Sequence, residues 1–168
     1  MRERLRALLA PRGGERILEV GAGRGEYALR LAGDVAPGGS IDVVDAHPQM
    51  LDATVRGARE RGLENVAAVL GDPRRLPFDD NRFDAAYLVA ALGDAQDARG
   101  ALAELARVVR PGGRIVVGEL HGDPHHVGPA ALRECCARAG LAFARWEDTD
   151  LGYLAVLEPQ RRVLRAAR

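Results

Sequence analysis

Short apolar runs alternate with amphipathic segments along this chain of 168 residues. Five apolar runs lack the polar alternation of a half-exposed strand, which is typical of strands buried on both faces of a parallel sheet. These runs cover residues 16–20, 40–45, 65–70, 83–89 and 113–120. Apolar residues at helical spacing occur near 26–33, 48–61, 96–109 and 129–139. The pattern predicts an α/β fold with a doubly wound sheet.

The two ends of the chain predict further elements. Two more strand candidates, 142–148 and 152–158, are separated by only a few residues. A parallel connection needs a crossover of roughly a dozen residues, whereas a hairpin does not. We therefore expect the sheet to finish in an antiparallel pair. Near the other end, Leu5, Leu8 and Leu9 share one face of a short amphipathic helix.

Composition narrows the class of protein. Twenty-four acidic residues balance 24 basic residues, all of them arginine, and this neutral balance disfavours a dedicated nucleic-acid binder. Cys135 and Cys136 are adjacent and cannot readily clasp distant parts of the fold, so a reducing cytoplasm is the expected compartment. No apolar run is long enough to cross a bilayer, and no metal site is expected.

The stretch ILEVGAGRGEYALRLA, residues 17–32, carries the first functional signal. Gly21, Gly23 and Gly25 stand where the first strand passes into a helix. Glycine allows a tight turn there and lets a ligand approach the backbone, while the start of the helix offers free N–H groups. Asp45 ends the second strand, where a carboxylate can accept both hydroxyls of a ribose. We therefore predict a cofactor that carries a ribose.

Two features of the glycine-rich loop distinguish between cofactors. A dinucleotide fingerprint would place its third glycine at position 26, which is glutamate here. Glu19 and Glu26 flank the loop and would repel a pyrophosphate, but they suit a ligand that brings positive charge. S-adenosylmethionine has a ribose, an ammonium and a sulfonium, and it has no phosphate. It matches the pattern better than NAD does, which disfavours a dehydrogenase.

With these motifs the chain resembles the class I S-adenosylmethionine-dependent methyltransferases, in particular the small ubiquinone/menaquinone-biosynthesis type (methyltransferase type 11). The resemblance runs from Leu8 to Pro159 and rests on ILEVGAGRG, VVDAHPQML, GDPRRLPFDDNRFDAAYLV, ALAELARVVRPGGRIVVGEL and LRECCARAGL. It implies a Rossmann-like, mostly parallel seven-stranded sheet in the order 3-2-1-4-5-7-6, with strand seven antiparallel. It also implies an enzyme that methylates a small-molecule acceptor, quinone-like, phenolic or other, and leaves S-adenosylhomocysteine.

The resemblance also assigns cofactor-binding positions. Glu19 and the loop backbone match the methionine end, Asp45 matches the ribose acid, and Asp72 matches the acid that accepts the adenine amino group. Pro73 departs from the family pattern, because an N–H at this position often contacts adenine and proline has none. Adenine recognition is therefore expected to be weaker or differently arranged. The expected set also includes the loop residues, two residues that flank the adenine and one backbone position after strand four: Gly21, Ala22, Gly23, Gly25, Ala46, Met50 and Val89.

Candidate bases lie in ELHGDPHHVG, residues 119–128, the loop after the fifth strand. His121 and His125 are the two catalytic candidates, because an imidazole titrates near neutral pH. We expect His125 to face the transferred methyl group, since loops after strands four and five border the reactive end, and related small members of the family share DPH here. Asp123 and His126 are further titratable groups in this loop. The competing interpretation is an exposed loop rich in turn formers.

Few residues precede the first strand, so the resemblance implies that 1–168 is a single methyltransferase domain with a shortened N-terminal lid. Its pocket is then open, completed by a partner such as a second copy in a homodimer, or suited to a large or lipophilic substrate. A non-catalytic or partner-dependent subunit that binds S-adenosylmethionine therefore remains an alternative. A nucleic-acid methyltransferase is disfavoured, because YLVAALGD at 87–94 lacks the Asn/Asp-Pro-Pro-aromatic arrangement of those enzymes. Only the basic tail RRVLRAAR, 161–168, supports it.

Overall fold

Residues 1–160 are described by a computed structural model that contains seven strands and five α-helices. The strands are β1 Arg16–Val20, β2 Ser40–Asp45, β3 Val66–Leu70, β4 Phe83–Val89, β5 Val109–Leu120, β6 Leu141–Thr149 and β7 Gly152–Pro159. The α-helices are α1 Arg2–Leu9, α2 Ala28–Val35, α3 Pro48–Glu60, α4 Ala98–Val108 and α5 Pro129–Ala139. A short 3-10 turn, Gly93–Ala95, precedes α4. The basic tail 161–168 lies outside the described residues.

All seven strands join one sheet in the order β3-β2-β1-β4-β5-β7-β6. Strands β1 to β5 are parallel, and β7 runs antiparallel to both β5 and β6. This confirms the expected Rossmann-like, doubly wound α/β sheet with an antiparallel strand seven. The strand order reverses between β1 and β4, and connections that leave in opposite directions open a crevice outside the carboxyl ends of these strands.

Two apolar cores cover the two faces of the sheet and explain why its central strands are nearly continuous apolar runs. Leu18 and Val20 of β1 pack with α4 and α5 on one face, whereas Ile17 packs with α1, α2 and α3 on the other. Ile17 and Leu18 are both fully buried. Burial of one such aliphatic side chain contributes roughly 1.5–3 kcal/mol, so the central strands form a firm base for the loops at their ends.

The expectation of complete burial is wrong for β3. This strand lies at the edge of the sheet, and within the described residues the connection 71–82 from β3 to β4 contains no helix that could cover its second face. The side chain of Leu70, the last residue of β3, is consequently 59% exposed. An apolar run reports hydrophobic content, but it cannot tell a fully covered strand from an edge strand that lines a cleft.

Two boundaries also differ from the sequence expectation. Helix α2 starts at Ala28 rather than 26, because the glycine-rich turn extends further into the segment. Strand β5 starts at Val109, directly after α4, whereas the apolar run predicted a strand from residue 113. The pairing with β4 slips there from Phe83 with Val109 to Ala85 with Arg114, so the intervening residues form a bulge.

Helix α1 is fixed to the sheet by its apolar face and by one arginine. Its three leucines are buried as the sequence predicts. Arg114 of β5 donates from its Nη2 to the Ala10 carbonyl at 2.9 Å and forms an ion pair with Glu15 at 2.7 Å. Together with a hydrogen bond from the Arg114 Nε to the Leu9 carbonyl, the first contact satisfies carbonyls that the helix end leaves free. In the part of the chain described, no helix combines the length and the apolar character that a membrane span requires.

Candidate cofactor site

A cleft of about 770 Å³ opens at the carboxyl ends of β1, β2, β3 and β4, at the point where the strand order reverses. The glycine-rich loop forms one wall, the end of β2 and the start of α3 form the next, and the segments after β3 and β4 close the rest. The residues of these four walls are Val20, Gly21, Gly23, Val44, Asp45, Ala46, His47, Met50, Leu70, Gly71, Asp72, Pro73, Arg74, Ala90, Ala91, Asp94, Ala95 and Gln96. Seven of the predicted cofactor residues are among them: Gly21, Gly23, Asp45, Ala46, Met50, Asp72 and Pro73.

The glycine-rich loop needs its glycines for packing as well as for backbone conformation. Gly21 has φ 69°, and a Cβ added there would lie 2.4 Å from the Cβ of Ala91. Gly25 has φ 71°, and a Cβ there would lie 2.6 Å from the side chain of Thr54 in α3. A Cβ at Gly23, by contrast, would meet no atom within 4 Å. The loop is therefore held closely on both sides and open at its centre, where Gly23 faces the cleft.

Asp45 connects the end of β2 to this loop. Its carboxylate accepts the Gly23 N–H at 3.2 Å and the His47 N–H at 2.8 Å, and the His47 Nδ1 lies 3.1 Å away. The residue is only 8% exposed, yet it lines the cleft. A carboxylate has about four acceptor positions, so it retains capacity for the hydroxyls of a ligand.

Glu19 lies beneath the glycine-rich loop, outside the set of residues that lines the cleft. Its carboxyl is 3% exposed and accepts the N–H of Ala28, at the start of α2, at 3.1 Å. Burial raises the pKa of Glu19 to about 8, despite that hydrogen bond. The neighbouring Tyr87 hydroxyl is fully buried and lacks a hydrogen-bond partner of good geometry among the described residues. Glu19 is thus placed to hold the loop and α2 together. Three other predicted cofactor residues, Ala22, Gly25 and Val89, are also absent from the lining of the cleft.

The far end of the cleft combines apolar walls with an ion pair. Met50 and Leu70 are the exposed apolar side chains there, as a flat heterocycle would require. Asp72 accepts the Arg74 N–H at 2.8 Å and its guanidinium at 2.6 Å. The hydrogen bonds from the Arg74 guanidinium lower the pKa of Asp72 to about 2. Sequence reasoning missed Arg74, because the surrounding GDPRR segment reads as a simple turn.

The loops after β4 and β5 meet at the mouth of the cleft. His125 Nδ1 lies 2.5 Å from the Oδ1 of Asp94, which itself lines the cleft, and the His125 N–H is accepted by Asp123 at 2.8 Å. Ala90 and Gln96 have φ of 50° and 58°, a backbone conformation that non-glycine residues seldom adopt and that is concentrated at functional sites. The aspartate partner of His125 was not anticipated.

The other two imidazoles of the 121–128 loop point elsewhere. His126 Nδ1 hydrogen-bonds the Leu120 carbonyl at 3.1 Å, and its ring packs edge-on against Tyr153. His121 is exposed and lies outside the lining of the cleft. His125 and His126 therefore face different ways, and of the histidines in this loop it is His125 that reaches a residue of the cleft wall.

A doubly wound sheet with a glycine-rich loop, a carboxylate at the end of β2 and a cleft at the switch point defines a Rossmann-like domain, a class of fold in which ligands bind in this crevice. Comparison with known proteins identifies the family. The model of the methyltransferase domain family matches residues 17–113, more than half of the chain, and the chain belongs to this family.

Curated relatives indicate which methyltransferases the chain is similar to. The chain is 38% identical over 117 residues to the ubiquinone/menaquinone biosynthesis C-methyltransferase of Paracoccus denitrificans, a match that covers 69% of this chain and 46% of that protein. It is 41% identical over 110 residues to the demethylmenaquinone methyltransferase of Thermus thermophilus, covering 66% of this chain and 49% of the relative. The chain thus spans about half the length of the curated relatives that it matches.

Solved structures agree on the fold. A methyltransferase from Aquifex aeolicus described as SAM-dependent superposes with a TM-score of 0.81 at 20% identity, covering 92% of this chain and 86% of that one. The cyclase SpnF superposes with a TM-score of 0.83 at 25% identity, covering 94% and 80%. One fold therefore occurs in proteins that are named for different reactions, and the reaction has to be argued from the site.

Proposed function

We propose that this protein is an S-adenosylmethionine-dependent methyltransferase whose acceptor is a small molecule of the quinol or phenol type. The observation that carries the proposal is the 770 Å³ cleft, in which Asp45 and the open centre of the glycine-rich loop face a pair of apolar walls. Membership in the methyltransferase-domain family supports the reaction type. The names of the curated relatives, which refer to quinone biosynthesis, support the acceptor class.

The residues of the cleft fit the cofactor by their chemistry. The absence of a side chain at Gly23 leaves room beside the loop, and Asp45 retains acceptor positions for ribose hydroxyls. Ala46 and Met50 would flank the adenine, with Leu70 as a further apolar wall and Pro73 forming the edge that lacks a donor. We assign Asp72 to the adenine amino group, in competition with Arg74. Glu19, Ala22, Gly25 and Val89 would act by shaping the loop and the methionine end from behind.

The chain itself has to provide little more than orientation of the acceptor and removal of one proton. When bound, S-adenosylmethionine would supply a methyl group already activated by its sulfonium. Asp94 accepts a hydrogen bond from the Nδ1 of His125, which fixes one tautomer and leaves Nε2 free. We propose that Nε2 takes the proton of the acceptor hydroxyl, with His121 as the second candidate. The loops at the mouth position the acceptor beside this pair.

Calorimetry tests the cofactor assignment directly. We expect S-adenosylmethionine and S-adenosylhomocysteine to bind, and NAD not to bind, in titrations of the same protein preparation. Turnover is then measured against a set of hydroquinones and phenols by release of S-adenosylhomocysteine. Binding without turnover on any acceptor would support the non-catalytic alternative, and binding of NAD in place of S-adenosylmethionine would contradict the assignment.

A homodimer and a cytoplasmic location stay predictions.

Substitution of His125 tests the base. His125→Ala should lower turnover by about 10²–10⁴-fold while the affinity for S-adenosylmethionine stays unchanged, because His125 lies outside the lining of the cleft. Asp94→Asn should give a smaller loss, since it keeps a polar contact but no longer stabilises the charged imidazole. His121→Ala is the matched control in the same loop. If His121→Ala carries the loss instead, the base has been assigned to the wrong histidine.

A further inference from the structure

The 121–128 loop, which carries His125, is held from below by a buried carboxyl group. Glu119, near the end of β5, is 1% exposed, and its Oε2 accepts the N–H of Val127 at 3.0 Å. Tyr153 of β7 donates its hydroxyl to the carbonyl of the same Val127 at 2.5 Å. The peptide groups on both sides of Val127, two residues beyond His125, are therefore clamped by side chains from two neighbouring strands.

This clamp has an energetic cost that packing alone does not explain. The second carboxyl oxygen of Glu119, Oε1, is buried and has no hydrogen-bond partner among residues 1–160. A buried acceptor without a partner is unfavourable, and a well-packed apolar side chain could fill the same space without that cost. Burial also raises the pKa of Glu119, against the opposing effect of the hydrogen bond from Val127. A carboxyl group in this position points to a role other than stability.

The clamp acts on the geometry at the mouth of the cleft. The His126 ring packs edge-on against Tyr153, with its Nδ1 3.9 Å from Glu119 Oε2 and 3.1 Å from the Leu120 carbonyl. His126 is thereby turned inward, and the preceding residue, His125, is directed outward to Asp94. The Asp94–His125 pair is itself largely exposed, and an exposed pair of this kind does not fix its own geometry.

We propose that Glu119 is a positioning residue, which anchors Val127 so that His125 is held against Asp94 at the reactive end of the cleft. The inference rests on the proposed function for its effect on turnover, but the anchoring itself can be measured without turnover. Tyr153 provides the other half of the clamp through the Val127 carbonyl. Glu119 is not among the residues that line the cleft, so it acts only through the loop.

Two substitutions separate anchoring from stability. Glu119→Gln keeps an oxygen that can accept the Val127 N–H, whereas Glu119→Met has a similar volume and no acceptor. We expect Glu119→Met to fold with a melting temperature close to that of the wild type, because removal of the unpartnered oxygen offsets the loss of the hydrogen bond from Val127. Hydrogen exchange of the 121–128 segment should accelerate at least tenfold in Glu119→Met and stay within about twofold of the wild type in Glu119→Gln.

The position of His125 and the rate provide two further readouts. The ring resonances of His125, assigned with His125→Ala, should move in Glu119→Met in the direction seen in Asp94→Ala. Turnover should fall about tenfold to a hundredfold, as expected for a misplacement near 1 Å, with the KM for S-adenosylmethionine unchanged. Glu119→Gln should restore most of this loss. Tyr153→Phe, which removes the donor to the Val127 carbonyl, should reproduce the exchange change in part.

Unaltered exchange and unaltered His125 resonances in Glu119→Met would overturn the proposal. So would an equal loss of turnover in Glu119→Gln and Glu119→Met, because the anchor is present in only one of them. If the wild-type protein methylates no acceptor, the proposed function fails, while exchange and the His125 resonances still decide whether Glu119 anchors the loop.

Discussion

Replacement of Glu19 by glutamine should change how the stability of this protein depends on pH. The carboxyl is buried, and its pKa is raised from 4.5 to about 8 in the folded protein. Between these two values, the folded state keeps the proton while the unfolded chain releases it. The free energy of unfolding should therefore fall as the pH rises, by up to about 1.4 kcal/mol per pH unit from this one group.

The size of the effect follows from the two pKa values. From pH 5 to pH 7, Glu19 should reduce the free energy of unfolding by about 2.5 kcal/mol, and the loss should level off above pH 8. For a chain of this length, that corresponds to a fall of roughly 5–10 °C in melting temperature. Glu19→Gln carries no ionisable group, so it should lack this part of the slope. The variant should be close to the wild type near pH 5 and more stable than it at pH 8.

Urea unfolding of both proteins from pH 5 to pH 9 provides the assay. Other groups also titrate in this range, so the quantity to compare is the difference between the wild type and the variant at each pH. Glu134→Gln is the matched control, because the Glu134 side chain is 65% exposed on α5 and loses only a surface ion pair with Arg138. A difference that stays constant with pH would show that Glu19 is ionised in the folded protein and would refute the reasoning.

Three further substitutions test the cleft. Asp45→Ala should weaken S-adenosylmethionine binding by roughly 1.5–3 kcal/mol, about tenfold to a hundredfold by calorimetry, and unchanged affinity in a folded variant would remove Asp45 from the site. Pro73→Ala should strengthen binding by no more than about 0.5–1.5 kcal/mol, because it restores one N–H donor; weaker binding would show that the rigidity of proline matters more. Gly93→Ala should lower turnover about a hundredfold, measured by release of S-adenosylhomocysteine, because a Cβ there would collide with the His125 carbonyl oxygen. Gly128→Ala is the control, since a Cβ there meets no atom within 4 Å, and it should leave turnover nearly unchanged. Equal effects of the two substitutions would contradict this steric argument.

Local sequence signals were sufficient for the framework of the fold. The bounds of β1 and β2 follow from apolar runs that end at a charged residue or a glycine, and such signals act within a few residues. The antiparallel end of the sheet follows from loop length alone, because the gap between β6 and β7 is too short for a crossover. The order of all seven strands was implied only by the resemblance to a family.

The parts of the site that could be predicted are those within a single loop or strand end. Gly21, Gly23 and Asp45 line the cleft as the motif suggests, because the motif itself fixes their conformation and position. The ion pair of Asp72 with Arg74 could not be predicted, since an arginine two residues away is free to point into solvent or back onto the carboxylate. The direction that the arginine takes depends on the shape of the cleft wall, and that shape exists only in the folded protein.

Contacts between distant loops were beyond the reach of sequence patterns, and Gly93 shows why. The dipeptide of Gly93 and Asp94 reads as an ordinary turn, yet a Cβ at Gly93 would lie 1.8 Å from the carbonyl oxygen of His125, 32 residues later in the chain. No side chain other than hydrogen allows the two backbones to approach so closely. That approach brings His125 within 2.5 Å of Asp94. The proposed base therefore depends on a residue that contributes no functional group, and its pattern in the sequence becomes meaningful only when the two loops are seen in contact.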